Sequence, residues 1–361
     1  TAIAGIAQGT GLTPTQSGQG GLYFTATKPA QDLKPERTKE IEGGFDIGFW
    51  GEKADLSATW YSSQTNDVIL VTPIPPSTGY SSEAKNAGVF QNQGTELSFN
   101  LRPLTRANYA WEIGVGWGRN QSLVKDIAGA EFLLTDNVQL STVAQKGYQL
   151  GVFRGNGWIR CGISNAADYP ALNLDQVCAG KPKGAVYVDD GTNCSAQPGM
   201  PCGDDVIRVI GNPNAKWTGN MHSTFRYKKW ELSGLLDIKK GGQVWNGTKG
   251  ALYSYGTHKD TEGRAICTGP NNSQCTGNEH AIGDPGFYEG PVAGPGAGQK
   301  IPIGQNWYFS SGVAACPFTG YDEPCMEDGG YVKLRELSVA YTFDMPWVAR
   351  TTGLSSIDLR V

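Results

Sequence analysis

Apolar and polar residues alternate along several stretches of this chain, and the connections between those stretches come in two sizes. Between Glu40 and Trp50, Phe45, Ile47 and Phe49 fall on one face of an extended segment, Asp46 and Gly48 on the other, because strand side chains alternate with period two. Gly51-Glu52-Lys53 makes a tight corner, and the next alternating run begins at Asp55. Elsewhere the runs are separated by Gly/Pro/Asn-rich segments tens of residues long. Short turns at one end and long loops at the other are the signature of a bacterial outer-membrane β-barrel.

Composition agrees with that class. Among 361 residues there are 50 Gly and 20 Pro but only 4 Met and 3 His, and mean hydropathy is -0.35. No stretch approaches the roughly 18–20 apolar residues of a membrane helix, and barrel strands hide their apolar residues at every second position. The net charge of -4 and the absence of a basic patch with interleaved aromatics argue against a nucleic-acid partner. The eight cysteines, Cys161, Cys178, Cys194, Cys202, Cys267, Cys275, Cys316 and Cys325, all lie in loop-like sequence. In an oxidising compartment an even set reads as disulfides, with 105 pairings open in principle. Pairing between neighbours would join Cys194 to Cys202, Cys267 to Cys275 and Cys316 to Cys325, leaving Cys161 with Cys178. Zinc is the competing use, but no CxxC occurs and the histidines are not spaced as ligands.

The alternation predicts strands near 37–50, 55–70, 87–102, 109–122, 216–228, 231–245 and 331–343, with a loop at 71–85 and long loops at 125–215 and 246–329. Leu56, Ala58 and Trp60, then Leu97, Phe99 and Leu101, then Trp111, Ile113, Val115 and Trp117 would share the lipid face. In the last strand the apolar phase slips between Leu334 and Leu337, which predicts a β-bulge or a strand rising beyond the bilayer, where patterning relaxes. Trp50, Tyr109, Trp111, Trp230, Phe343 and Trp347 sit near strand ends, where aromatic girdles form.

An ordered series of segments resembles the SusC/RagA type of TonB-dependent outer-membrane receptor. These are Leu33-Lys34-Pro35-Glu36 through Glu42-Gly43-Gly44-Phe45-Asp46, Ser57-Ala58-Thr59-Trp60-Tyr61, Asn86-Ala87-Gly88 through Gly94-Thr95-Glu96-Leu97, Ile210-Gly211-Asn212-Pro213-Asn214, and Glu327-Asp328-Gly329-Gly330-Tyr331-Val332-Lys333-Leu334-Arg335. The likeness covers about residues 30–361, with Gly330 in place of the usual serine and with cysteines the family does not typically carry. It implies an all-β fold, an antiparallel transmembrane barrel of about 22 strands with a plugged lumen. This chain would give the C-terminal portion of that barrel, roughly eight to ten strands: 1–36 a lead-in, 37–361 barrel, with signal, TonB box and plug preceding Thr1. Alone, such a piece would expose unpaired sheet edges to lipid, so the rest of its own barrel and plug become expected partners, with outer-membrane lipid around them. A SusD-like surface lipoprotein over the loops, and TonB-ExbB-ExbD acting on the N-terminal region, are the further partners the resemblance implies.

The implied function is energy-dependent import of a large nutrient, an oligosaccharide or a peptide, with no enzyme chemistry and no cofactor. Asp46, Glu96, Asn100, Arg102 and Glu112 are the lumen-facing candidates. Trp158, Trp245, Tyr253, Tyr255 and Trp307 are loop aromatics able to stack on a ligand, with packing as the alternative use. Acidic pairs such as Asp189-Asp190, Asp204-Asp205, Asp322-Glu323 and Glu327-Asp328 raise loop calcium, without EF-hand spacing. No G-x-S-x-G elbow is present. Two other classes stay in view: an outer-membrane structural or surface-assembly component, and a soluble β-sandwich adhesin in which the same apolar residues pack against a second sheet.

Overall fold

The computed structural model describes residues 27–361 except 29, 31, 52, 128–131, 137–139, 195–196, 271–273 and 310–319. Most of the predicted lead-in at 1–36, and Cys316, therefore lie outside the described residues. Eight strands pair antiparallel in chain order to form one wall: β1 (Arg37–Phe49), β2 (Ala54–Pro73), β3 (Ser82–Arg106), β4 (Tyr109–Ile127), β5 (Trp217–Tyr227), β6 (Trp230–Lys240), β7 (Tyr331–Phe343) and β8 (Ile357–Arg360). Thr27–Lys28 lies parallel to the start of β3.

The register aligns the alternation of each strand with that of its neighbours. One row across the wall reads Ile47, Leu56, Phe99, Val115, Met221, Leu236, Leu334, and all seven are apolar. The adjacent row, one residue along each strand, reads Asp46, Ser57, Ser98, Gly116, Asn220, Asp237, Lys333. The apolar face is uncovered: Val332, Leu334 and Leu337 remain 70%, 60% and 66% exposed. That exposure is not the covered apolar face of a β-sandwich. A face this apolar and this open is stable where the surrounding solvent is hydrocarbon.

The predicted bulge in the last strand is present. Leu235 pairs with Glu336 and Leu236 with Leu334, so Arg335 is the extra residue. It returns Leu337 and Val339 to the face already occupied by Leu334 and Val332, where a strict register would have turned them over. A second bulge, between Leu101 and Leu104, absorbs Pro103, a position where the missing N–H costs the ladder nothing. The predicted connection over 103–108 is therefore shorter, a two-residue turn after Arg106.

At this end of the wall every connection between wall strands is short or helical: the corner at 50–53, the turns at 107–108 and 228–229, and Pro346–Thr352 as a short helix. Trp50, Trp230 and Trp347 are exposed there, and Trp230, Tyr341 and Phe343 stack edge to face with centroids 4.8 and 4.6 Å apart. At the other end the 71–85 loop shrinks to a 3-10 turn at Pro76–Thr78, because β2 continues to Pro73 and β3 begins at Ser82.

The two long connections do not behave as loops. They fold together into a lobe that holds most of the buried core. Trp158, Trp307, Tyr187, Ile159, Ile301 and Ile303 are among the largest fully buried side chains, and all belong to the lobe. The first connection makes a four-stranded sheet from Phe132–Asp136, Ser141–Ala144, Val152–Trp158 and Gly203–Gly211. The second starts at Gly241-Gly242, earlier than the predicted 246, where both glycines take positive φ and end β6. Gln243–Trp245 then pairs with Met326–Asp328 to close its base, and Val292–Ala293 pairs parallel with Val186–Tyr187 of the first connection.

The wall generates a direct test. Val115→Arg places a charge on the apolar row and is expected to destabilise the folded protein in lipid by about 2–4 kcal/mol, read as a shifted urea midpoint. Ser98→Arg, on the polar row, is expected to move that midpoint far less; equal shifts for both would contradict the two-faced assignment.

Candidate functional site

The polar face is the surface on which a solute could be handled. Asp46 stands in the polar row described above, and Glu96 aligns with Thr59 and Gly118. A shallow cleft of about 330 Å³ runs over Ser57, Thr59, Glu96, Ser98, Thr218 and Asn220. Asn100 donates to Asp55 at 2.7 Å. Arg102 reaches Asp55 at 3.7 Å and Glu112 at 3.8 Å, so two of the predicted residues meet Asp55, a carboxylate the sequence did not single out, and a third joins them through Arg102. A second set was missed too. The Arg335 guanidinium donates to Asp237 at 2.6 Å, and the Tyr331 hydroxyl donates to the same oxygen at 3.1 Å. The signal was the bulge itself, which turns Arg335 onto the polar face opposite Asp237.

Two glycines show how tightly this face is built. Tyr61 lies over Gly94 and His222 over Gly114, close enough that a Cβ at either glycine would collide with the ring. Large polar side chains thus lie flat against the wall, and the Tyr61 hydroxyl extends over two strands to donate to Asn120 at 3.2 Å.

Above the wall, the lobe corrects the predicted stacking aromatics. Trp158 and Trp307 are only 1% and 2% exposed, and Tyr253 is buried beside them. Tyr288 bridges the two tryptophans, 5.0 Å from Trp158 and 5.6 Å from Trp307. These rings are core, because a folded lobe needs large apolar volume in its centre before it can present a surface. Trp245 is half-buried and Tyr255 is exposed. The Tyr253 hydroxyl donates to Asp260 at 2.7 Å, and burial first, then that bond, push its ionisation far above the ordinary tyrosine range. A cleft of about 410 Å³ opens over this cluster, with Lys249, His280 and Glu327 among its polar residues.

The acidic pairs are turned inward to protein donors. Asp189 accepts from the backbone N–H groups of Asn193 and Cys194. It also lies near Cys194 and Cys202, but those sulfurs are joined to each other and offer no thiolate. Asp204, almost wholly buried, accepts from Ser164 Oγ and from the Tyr169 hydroxyl at 2.7 Å. Burial, reinforced by that carboxylate, holds the Tyr169 proton well above its ordinary pKa. Glu327 pairs with Lys249 at 3.2 Å.

One carboxylate joins the two halves of the lobe. Glu323, from the second connection, takes Arg160 Nε at 2.7 Å on one oxygen. On the other it takes Arg208 Nη2 at 3.0 Å and the Trp158 backbone N–H at 3.1 Å. Arg208 also donates to the Trp158 carbonyl at 2.7 Å, and Arg160 to the Gly184 carbonyl at 2.7 Å. The first connection also carries disulfides Cys161–Cys178 and Cys194–Cys202, and the second carries Cys267–Cys275, the neighbour pairings. Cys325 is disulfide-bonded as well.

Comparison with known proteins places this geometry. Residues 3–264 match the family model described as TonB dependent receptor-like, beta-barrel. The chain is 22% identical over 337 residues to TonB-dependent receptor P3 of Formosa agariphila, covering 91% of this chain and 29% of that protein. It is 26% identical over 108 residues to TonB-dependent receptor SusC of Bacteroides thetaiotaomicron, covering 28% of this chain and 11% of that protein. Its fold superposes on the RagAB peptide importer in the closed-closed state with a TM-score of 0.58 at 13% identity, over 97% of this chain and 34% of that one. The chain spans about a third or less of the length of each relative.

The clasp and its neighbour give two expected outcomes. Glu323→Ala would leave the largely buried Arg160 guanidinium without a carboxylate and Arg208 with Asp204 alone, at 3.4 Å, and about 3–5 kcal/mol of lobe stability should be lost, read by limited proteolysis of the lobe against an intact wall. Asp322 is buried and its carboxyl is raised from 3.8 to about 6, by desolvation working against the Asn156 N–H bond. The folded lobe therefore binds this proton more tightly than the unfolded chain. The stabilisation it confers is present below about pH 4 and is lost as pH rises to about 6, a span worth about 2–3 kcal/mol. Asp322→Asn should flatten that part of the pH–stability curve; an unchanged curve would refute the assignment.

Proposed function

The chain belongs to the TonB-dependent receptor-like β-barrel family of the bacterial outer membrane, and from that premise we propose that it supplies wall and extracellular loops to an active importer of a large nutrient. Members of this family are transporters, and the reading assigns the chain no enzyme chemistry and no resident cofactor. The carrying observation is the pair of adjacent rows: Ile47 to Leu334 without one polar residue, and Asp46 to Lys333 without one large apolar one. A wall of that kind separates hydrocarbon from a hydrated path. Asp46, Glu96, Asn100, Arg102 and Glu112 then face the lumen or the plug.

On this reading residues 37–361 form the C-terminal portion of the barrel, completed by the rest of its own barrel and plug. The lobe stands at the extracellular end, where a SusD-like lipoprotein would meet it. TonB-ExbB-ExbD would supply the energy through a plug region. The importer among the structural relatives takes peptides, and the substrate class proposed here is peptide or oligosaccharide. Deleting the gene should abolish uptake of fluorescent peptides or of oligosaccharides by intact cells, and depleting TonB should have the same effect. Uptake of both classes at wild-type rate in the deletion strain would sink the proposal.

A further inference from the structure

Above its short-turn end, where Arg106 aligns with Tyr109, the lipid-directed face of the described residues carries charge only near the long-loop end, and of one sign. From the row of Phe49, Ala54 and Leu101 up to the row of Lys39, Gln64, Gln91 and Leu123, that face holds no carboxylate. The same is true along its positions on β5, β6 and β7. Its charged residues within those rows are Lys39, Arg119 and Lys240. All three lie at the long-loop end, above the apolar band: Arg119 pairs with Thr95, and Lys240 with Trp217. The next carboxylate, Asp126, lies past a bulge and is paired with Lys146 at 2.9 Å. The polar face of the same strands carries both signs, including Asp46, Asp55, Glu96, Arg102 and Asp237. Solvation of strand ends would not sort charge in this way.

The wall also opens at this height. β4 and β5 stay paired only as far as Gly118 and Thr218, while β4 continues beside β3 to Ile127. In the notch between them, Tyr148 and Gly147 bond to the backbone of Val124, and Lys216 bonds to Lys240. The result is a cleft of about 1110 Å³. Trp117 and Trp217 form its side toward the apolar band, Arg119, Lys216 and Lys240 contribute cations, and Gln91, Gln93 and Gln121 contribute amides. Arg119, Lys216 and Lys240 form no ion pair among the described residues. Asp328 is the lone carboxylate in the lining and is bonded to the Gly330 N–H.

We propose that this cleft binds the phosphorylated sugar headgroup of a glycolipid in the outer leaflet. Each element of the site matches a part of such a ligand. Unpaired guanidinium and ammonium groups suit phosphate oxygens, amides suit sugar hydroxyls, and the two indoles lie at the boundary where headgroup gives way to acyl chain. The apolar rows directly below receive the chains. The inference rests on the membrane placement of this face and not on what is transported.

The test uses the protein purified from outer membranes in mild detergent, with diphosphorylated lipid A as the added probe and binding followed by native mass spectrometry. Wild type should bind it, and the double variant Arg119→Gln/Lys240→Gln should bind on the order of ten-fold more weakly. Lys333→Gln, which removes one positive charge from the opposite face, should bind like wild type. A heat-modifiable band on gels checks that each variant keeps its barrel, so loss of binding is read separately from loss of fold. Three results would overturn the proposal: undiminished binding by a folded double variant, equal binding of phosphatidylethanolamine, or displacement of lipid A by millimolar inorganic phosphate, which would mark a free-phosphate site. Nutrient uptake is not part of the readout, so the transport reading stands or falls independently.

Discussion

Backbone hydrogen bonding in hydrocarbon is the constraint from which the rest of this structure follows. A peptide group facing lipid has no water to bond, so each must find a partner within the sheet. Long antiparallel strands in regular register meet that demand, and their pleat then sends alternate side chains to opposite solvents. Sequence in the wall is consequently free only within a rule: apolar at one parity, polar or small at the other. Where chain geometry would break the rule, a bulge restores it, as Arg335 does for Leu337 and Val339.

The same constraint moves the core. In a water-soluble sheet the apolar face is covered by another layer, and the largest buried residues lie beneath the strands. Here β1 is exposed along its whole length, because its covering layer is lipid on one side and hydrated space on the other. Packing of the familiar kind begins only above the strands, where water surrounds the chain again. There the two connections bury Trp158 and Trp307 in one cluster and are joined by Glu323, while each of the three disulfides closes within a single connection. One chain thus follows two sets of folding rules, divided by height.

That division explains what could be read from the sequence. Period-two patterning survives only in the wall, so β1, β5 and β7 were legible almost to the residue, and the slipped phase of β7 announced its bulge. Sequence left the cysteine connectivity open, and three of the neighbour pairings it offered are present. The lobe was not legible. Its strands are short, its contacts join residues more than a hundred positions apart, such as Arg160 with Glu323, and its apolar residues follow no period. For Trp158 and Trp307 the sequence therefore left ligand stacking open beside packing, and their burial makes them core. Asp55, Asp237 and Arg335 were missed for a related reason: their partners come from across the sheet, and only register reveals them.

Clasp and wall are also linked in sequence. β4 and β5 bracket the first long connection, and β6 and β7 bracket the second, so the lobe is anchored to four consecutive strands. Glu323 then ties the two connections to each other above those strands. The lobe cannot swing on one hairpin without moving the other, since the pairing of Val186–Tyr187 with Val292–Ala293 joins them a second time. On the transport reading, the plug from below and a surface partner from above are the groups that would meet wall and lobe. Tyr61 over Gly94 and His222 over Gly114 lie flat on the polar face of the wall, where on that reading they would line the path without obstructing it.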